Sequence, residues 1–386
     1  MSFTNLTVLS HGRTIRDEFL FPESEFISRI DKVNDLIKQK DLDGLIIYST
    51  SLTRGYVSYV SGFSNFLAWS VSMLVLLKDS KPALIACIAP RDVEFTSKLL
   101  PDFVEVKAAG LSLVSNEHVS DHTIKYLTEK GILKGKKFGS VNFGTLPNLA
   151  HAPWKDVYPD GLVDCTDDYN TLRAIKSPKE IYVISQASSM AKRAVYEYMR
   201  QARPGTIESE LAAKIDREQR INGANSVSML TCAGDLKDTA LHFPISRIFE
   251  NGDTVSVYAD IGLQGYHGCF GATKVINAMT NDQEQLFASA SEILDEKLKE
   301  ILSTKKIVVG QKNFNYDNFE CYAIVNGVGG DLVEYPDQYG SIVELVQGMT
   351  ITLSISVKKD GVGSVFMCEN YLFTDKGFVA MSGPGK

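Results

Sequence analysis

Residues 255–274 read VSVYADIGLQGYHGCFGATK. Residues 253–262 and 271–277 are strand-like, so this stretch predicts two β-strands joined by a glycine-containing turn. Asp260 is an acidic residue within the first strand, and Gly271 follows it by eleven positions at the start of the second. With the strand-like residues 350–357 and 369–374, the two strands indicate a sheet in the second half of the chain.

The length and composition are those of an ordinary globular protein. A chain of 386 residues suits two domains. The net charge of −7 argues against a nucleic-acid partner, which normally requires a basic surface. The six cysteines show no zinc-site spacing, and no apolar run is long enough to span a membrane. Without a signal sequence, a cytoplasmic protein is expected.

The first half of the chain alternates between helical and strand-like segments. Phe26, Ile30, Val33 and Ile37 recur at helical spacing with charged residues between them, so one face of this helix is expected to be buried. The alternation predicts an α/β layer, which we assign to a domain of residues 1–165. The predicted segments are helices at 22–41, 92–100 and 118–130 and strands at 42–50, 71–77, 83–86 and 137–141.

A polar stretch rich in turn-forming residues, 164–173, separates this layer from the second half. Three residues after it predict the start of a helix. Ser177 can cap the helix, Pro178 suits its first turn, and Glu180 can close a capping box. The boundary between two domains is therefore expected close to this point.

The second half combines helices with the strands already described. Two further helices are predicted at 207–222 and 282–302, the latter with Asn281 and Glu284 as its capping box. Helices on one side of a bent antiparallel sheet make an α+β domain, which we assign to residues 170–386.

Short motifs along the chain resemble one known family. They are LDGLII at residues 42–47, YVSG at 59–62 and RAIKSPKE at 173–180. In this order they resemble the prolidase, aminopeptidase P and creatinase branch of the pita-bread enzymes, over nearly the whole chain. The resemblance implies an α/β N-terminal domain, an α+β pita-bread C-terminal domain and a homodimer.

The resemblance also implies a site for two metal ions, held by two Asp, one His and two Glu. Two neighbouring divalent cations need several anionic oxygens, and they then activate a water molecule. The five positions fall on Asp260, Gly271, Asn326, Ser354 and Glu369. Only the first and last keep a carboxylate, so we expect no dinuclear centre, no metal and no cofactor. A single ion between the two carboxylates is the alternative.

The acidic and imidazole groups that remain are candidates for acid–base catalysis. His242, in ALHFP, matches the family position where a histidine faces the substrate, and an imidazole exchanges protons near neutral pH. Glu334, in LVEYP, matches a glutamate that follows a second histidine of the family, and that histidine is here Val333. Asp260 and Glu369 are expected to face each other and to share a proton, orient His242 or bind a cationic group. The alternative is a structural histidine and two solvated carboxylates in an idle cleft.

Further residues are candidates for binding a small polar substrate. Asn326 and Ser354 can donate hydrogen bonds where metal ligands would stand. The resemblance places Tyr56 and Phe63, together with Phe66, on a loop that reaches the partner's pocket in creatinase-like dimers. The alternative for these aromatic side chains is an ordinary core.

Two cysteines lie beside the candidate site in the sequence. Cys269 precedes Gly271 by two residues, and Cys368 directly precedes Glu369. A thiol nucleophile near His242 would be another route to hydrolysis, whereas a buried strand cysteine is the ordinary alternative.

Two functions therefore remain open. The first is a metal-independent, creatinase-like enzyme that hydrolyses or eliminates at a C–N bond, with His242 as general acid and base. The second is a catalytically inactive pita-bread domain that binds a peptide or a protein.

Overall fold

The computed structural model describes residues 20–65, 70–110, 117–133, 135–234 and 240–383. The chain divides after Arg173 into two compact units. Among the described residues, no helix combines the length and the apolar composition that a membrane crossing requires.

The first unit is an α/β layer built around a mixed sheet. Its described strands follow the order β4-β3-β2-β1-β5-β6, with antiparallel pairs β1–β2 and β2–β3 and parallel pairs elsewhere. The helices are α1 (Glu23–Gln39), α2 (Gly55–Ser61), α3 (Val93–Leu99), α4 (Val119–Glu129), α5 (Asn148–Val157) and α6 (Thr166–Ala174). The strands are β1 (Gly44–Thr50), β2 (Val71–Leu77), β3 (Ala83–Ala86), β4 (Glu105–Ala108), β5 (Phe138–Val141) and β6 (Val163–Asp164).

Both faces of this sheet are buried. Alternate residues of β1 point to opposite sides, so Leu45 and Ile47 join one hydrophobic cluster while Ile46 and Tyr48 join the other. Such burial on both faces explains the continuous apolar runs that predicted these strands. The prediction of an α/β fold is confirmed.

The stretch 164–173 forms a helix rather than a run of turns. The Asp164 carboxylate accepts hydrogen bonds from the Thr166 amide and hydroxyl, at 2.9 and 2.6 Å, and so caps the start of α6. Tyr169 is fully buried on this helix, and its hydroxyl donates to the Tyr56 carbonyl at 2.7 Å. The polar residues that suggested turns belong to a capped helix, on which Asp167 and Thr171 are exposed whereas Asn170 and Arg173 are buried.

The second unit is an eight-stranded antiparallel sheet covered by helices on one face. Its described strands follow the order β11-β12-β14-β15-β9-β8-β7, with β16 paired to β15. The helices are α7 (Pro178–Gln201), α8 (Glu208–Ile221) and α9 (Asn281–Thr304). The strands are β7 (Ser226–Gly234), β8 (Thr254–Leu263), β9 (Tyr266–Val275), β10 (Lys306–Val308), β11 (Gly310–Tyr316), β12 (Phe319–Gly327), β13 (Ile342–Glu344), β14 (Thr350–Lys359), β15 (Gly363–Thr374) and β16 (Gly377–Ala380). Of these, β10 and β13 pair with each other outside the eight-stranded sheet.

Local signals set the helix boundaries. The predicted capping box at the start of α7 is confirmed, because the Ser177 hydroxyl accepts from the Glu180 amide and the Glu180 carboxylate accepts from the Ser177 amide. For α9 the prediction was one residue late: Thr280 and Gln283 form the box.

The two halves of this sheet meet over a short ladder. The strands β9 and β15 pair only through Cys368 with Gly271 and Glu369 with Phe270. Beyond these pairs the Asn370 side chain lies in the gap, where its Oδ1 accepts from the Cys269 amide at 2.6 Å. The Asn370 side chain therefore links β9 and β15 at the point where their backbone hydrogen bonds end.

Candidate functional site

The strand register separates an apolar face from a polar face of the second sheet. Val257, Ala259 and Ile261 of β8 pack in the hydrophobic cluster that includes residues of α7 and α8. Asp260, between two of them, points to the opposite side. We call this side the polar face, and the ladders put Asp260, Cys269, Cys368, Ser354 and Asn326 on it.

A carboxylate–imidazole pair lies on the polar face. The two Asp260 carboxylate oxygens are 2.9 and 3.0 Å from Nδ1 of His267. Both residues are buried, with exposures of 5% and 3%. The His267 amide donates to the Gly329 carbonyl at 2.8 Å, which fixes this end of β9.

The hairpin explains how these residues meet. Gln264 and Gly265 both have positive φ, so they form a two-residue turn whose twist matches antiparallel strands. This turn sets Gly262 opposite His267 and Asp260 opposite Cys269. His267 and Asp260 are diagonal neighbours on one face, a distance that side chains of this size can bridge.

Two thiols lie beside this pair. The sulfur atoms of Cys269 and Cys368 are 3.8 Å apart, and Cys269 Sγ is 3.6 Å from the Thr352 hydroxyl. Nδ2 of Asn370 donates to Cys269 Sγ at 3.1 Å and to the Thr352 hydroxyl at 2.7 Å. The contact with Cys269 and burial together raise the pKa of the Cys368 thiol, which disfavours a thiolate nucleophile there.

An apolar group covers these thiols. Phe366 and the two cysteines form a small hydrophobic cluster, against which Leu241 and Tyr258 pack. We call Phe366, Leu241 and Tyr258 the aromatic plug. Burial, followed by the neighbouring Cys269, raises the pKa of the Tyr258 phenol well above its usual range, so this hydroxyl stays neutral.

Glu369 lies on the other side of the sheet from Asp260. It pairs with Leu353 and Phe270, whose side chains face the helices, whereas Cys368 pairs with Gly271 and Ser354 on the polar face. The expectation that Asp260 and Glu369 face each other is therefore wrong, because successive strand residues point to opposite faces. Cys368, and not Glu369, is the residue of β15 that lies on the polar face here.

Glu369 instead forms hydrogen bonds with the segment that follows β16. Its carboxylate accepts hydrogen bonds from the Ser382 hydroxyl and amide and from the Asn370 amide. Ser189 and Lys192 of α7 bind the carbonyls of residues 382 and 383 beside it, at 3.2 and 2.8 Å. Burial raises the pKa of Glu369 above its ordinary value, against the opposing effect of these hydrogen bonds.

We expect Glu369→Gln to become relatively more stable as the pH rises. A carboxyl whose folded pKa is raised contributes its full stability below the unfolded pKa of about 4.3 and loses it as the pH passes the folded pKa. Glutamine has no such loss and keeps one acceptor, so the variant should gain stability relative to wild type as the pH rises above the unfolded pKa. Urea unfolding at several pH values measures this. The exposed Asp375→Asn should follow wild type throughout, and a Glu369→Gln difference that shrinks with rising pH would contradict the assignment.

Glu334 is committed to an ion pair. Its Oε1 lies 2.5 Å from Nζ of Lys176, and the two side chains are 5% and 1% exposed. Its backbone also bridges to Gly327, the last residue of β12. These contacts indicate a structural carboxylate rather than the catalytic one expected from the sequence.

His242 lies at the β7 edge of the sheet. Its amide and carbonyl pair with Thr231, at 2.9 and 2.8 Å, and its Nδ1 lies 2.8 Å from the Phe243 carbonyl. Thr231 is three positions along β7 from Ser228, the cross-strand partner of Asp260. His242 is half-buried, and its neighbour Leu241 belongs to the aromatic plug.

Tyr56 and Phe63 belong to the core of the first unit. Both are buried in one hydrophobic cluster. Tyr56 stacks on Tyr169 with ring centroids 6.2 Å apart, and the Arg173 guanidinium lies 4.5 Å from its centroid. This placement matches the alternative of an ordinary core, and a role of the two side chains in substrate binding stays a prediction. Phe66 lies outside the described residues.

Comparison with known proteins decides the family. The model of metallopeptidase family M24 matches residues 183–375, half of the chain. The chain belongs to metallopeptidase family M24.

The M24 relatives include both named and unassigned peptidases. The uncharacterized peptidase YqhT of Bacillus subtilis is 22% identical over 90% of this chain and 96% of its own length. The Xaa-Pro dipeptidase of Pyrococcus horikoshii is 25% identical over 55% of this chain, and the match spans 63% of that protein. The X-Pro aminopeptidase of Thermotoga maritima superposes with a TM-score of 0.72 at 15% identity, covering 92% of this chain and 98% of that one. Membership confirms the pita-bread resemblance and places the chain among peptidase-type hydrolases.

The polar face does not fit the two metal ions that an M24 metallopeptidase implies. Asp260 is held by His267, and a side chain at Gly271 would collide with the Phe366 ring of the aromatic plug. Asn326 has a carboxamide in place of a metal-binding imidazole, and its Nδ2 donates to the Gly327 carbonyl at 2.7 Å. Within the described ranges no group of three or more His, Cys, Asp or Glu is placed to hold a metal ion.

His267 is the residue that sequence reasoning missed. It was visible in the hairpin, two residues before Cys269, but nothing in its spacing marks it as a partner of Asp260. The turn residues Gln264 and Gly265 are the signal that would have found it, because a two-residue turn fixes the register.

Proposed function

We propose that this M24 protein hydrolyses a C–N bond of a small polar substrate without a dinuclear metal centre. One observation carries the proposal: the buried Asp260–His267 pair, which has the geometry of an oriented acid–base catalyst. The peptidase-type family supports hydrolysis as the reaction. The mismatch between the polar face and a two-ion centre supports a route through protein side chains.

In this proposal Asp260 orients His267 and His267 moves the proton. The carboxylate accepts a hydrogen bond from Nδ1–H, which sets the tautomer and leaves Nε2 as the basic nitrogen. Nε2 takes a proton from a water molecule as the water attacks the carbon of the C–N bond. The same proton then goes to the leaving nitrogen. General acid–base catalysis of this kind contributes about 10²–10⁴-fold in rate. His242, at the β7 edge, is proposed as a second group that contacts the substrate.

The test combines metal analysis with a substrate screen. Elemental analysis of the purified protein should give less than one tightly bound transition metal per chain. The screen covers Xaa-Pro dipeptides, small amides and guanidino compounds, and His267→Gln should lose at least about 100-fold in turnover. His242→Ala tests the second histidine, and His122→Gln, at a half-buried histidine of the first unit, is the control. Two tight metal equivalents, or full turnover in His267→Gln, would overturn the proposal.

A second candidate function is binding without catalysis. The observation that favours it is the burial of both Asp260 and His267, which limits access to the acid–base pair. A protein that turns over no substrate in the screen but binds a ligand on the polar face would have this function. The expected homodimer, small-molecule substrate and cytoplasmic location stay predictions.

A further inference from the structure

A second feature of the polar face is an open cleft at the outer strands. Its volume is about 600 Å³, within the range of small-ligand sites. We call it the amide cleft. The residues that line it are Ala240, Gln311, Asn313, Phe314, Asn315, Glu320, Cys321, Tyr322, Ser356 and Lys358.

Three side-chain amides form one wall of the amide cleft. Gln311, Asn313 and Asn315 alternate along β11, so they share one side of the strand, and all three are exposed. Nε2 of Gln311 donates to Oδ1 of Asn313 at 3.4 Å. Alternate residues of a strand lie about 7 Å apart, which gives the wall a regular repeat of donors and acceptors.

The rest of the amide cleft is neutral overall. The ammonium group of Lys358 lies 3.4 Å from the Glu320 carboxylate, so the two formal charges compensate each other. Ser356 and Tyr322 are cross-strand partners and add hydroxyl groups, and the tyrosine ring adds an apolar surface. A strongly charged ligand would find no uncompensated partner among these groups.

Peptide groups match this wall best. A side-chain amide offers one donor and one acceptor that can pair with both groups of a main-chain amide. An extended peptide repeats its orientation every two residues, about 7 Å, which is the repeat of the three side chains. We propose that the amide cleft binds an extended, uncharged peptide segment through its main chain.

The amide cleft lies next to the candidate catalytic groups without sharing them. Ser356 is two residues along β14 from Ser354, on the same face. Ala240 precedes Leu241 of the aromatic plug. A bound peptide would therefore lie beside the segment that carries His242. The inference goes beyond the proposed hydrolysis, because binding here needs neither Asp260 nor His267.

The test uses capped tetra-alanine, N-acetyl-(Ala)₄-amide, as the probe. Titration followed by ¹H–¹⁵N NMR of the full chain should show saturable shifts of the side-chain amide signals of Asn313 and Asn315. The double variant Asn313→Leu/Asn315→Leu should bind at least about tenfold more weakly, since it loses the hydrogen bonds of two side-chain amides to the peptide main chain. Lys312→Leu is the matched control, because Lys312 is equally exposed on the opposite side of the same strand.

Three results would overturn the inference. They are no saturable shift with capped tetra-alanine, unchanged affinity in the double variant, or saturable binding of maltose in place of the peptide. His267→Gln should bind the probe as wild type does. Binding that persists while turnover is lost separates this inference from the proposed hydrolysis.

Discussion

Replacing His267 by leucine is expected to lower the free energy of unfolding by about 3–5 kcal/mol, because the Asp260 carboxylate would stay buried without its partner. Leucine is close in size to histidine, so lost packing adds little. Urea unfolding followed by circular dichroism measures the change. The double variant His267→Leu/Asp260→Asn should recover part of the loss, since it removes the buried charge.

The chain offers a more exposed pair of the same chemistry as a control. His122 Nε2 lies 3.2 Å from the Glu117 carboxylate, which is largely exposed. His122→Leu should change the free energy of unfolding by less than about 1 kcal/mol, because water stabilises the remaining carboxylate. Equal effects at the two sites would show that burial of the Asp260–His267 pair has no energetic consequence.

Lys176→Met is expected to cost a similar amount, about 3–5 kcal/mol, since it removes the ammonium partner of the buried Glu334 carboxylate. The double variant Lys176→Met/Glu334→Leu should regain most of this loss, because two apolar side chains of similar volume replace the pair. Thermal and urea unfolding of the single and double variants measure both effects.

Lys38→Met provides the control for this pair. Lys38 Nζ is 3.0 Å from the Asp79 carboxylate, and both side chains are exposed, so its loss should cost less than about 1 kcal/mol. A structural role for Glu334 requires that the double variant fold and unfold like wild type. If Lys176→Met lost no more free energy of unfolding than Lys38→Met, the structural role of Glu334 would be contradicted.

Sequence reasoning reached the fold because local signals and global architecture agree here. The capping box of Ser177 and Glu180 marks the start of α7, and alternating segments mark the first unit. The family motifs extended the same conclusion to the whole chain. These signals depend on residues close in sequence, which is why they could be read without coordinates.

The candidate site was predicted less well because it depends on register. Glu369 was placed one position away from Cys368, and in a strand one position exchanges the two faces of the sheet. Asp260 was identified, but its partner His267 follows from the two-residue turn. Lys176 lies far from Glu334 in sequence, so only the folded chain reveals their ion pair.

The short ladder between β9 and β15 has a consequence for the order of folding. The strands β7, β8 and β9 are consecutive antiparallel neighbours, and β8 and β9 form a tight hairpin, whereas β15 joins them across nearly a hundred residues. Closing so long a loop is slow compared with forming a hairpin. The β7–β9 meander can therefore form early. The side-chain amide of Asn370 bonds to β9 only when the outer strands dock. Amide hydrogen exchange should accordingly divide this sheet at Asn370 into two blocks of different protection.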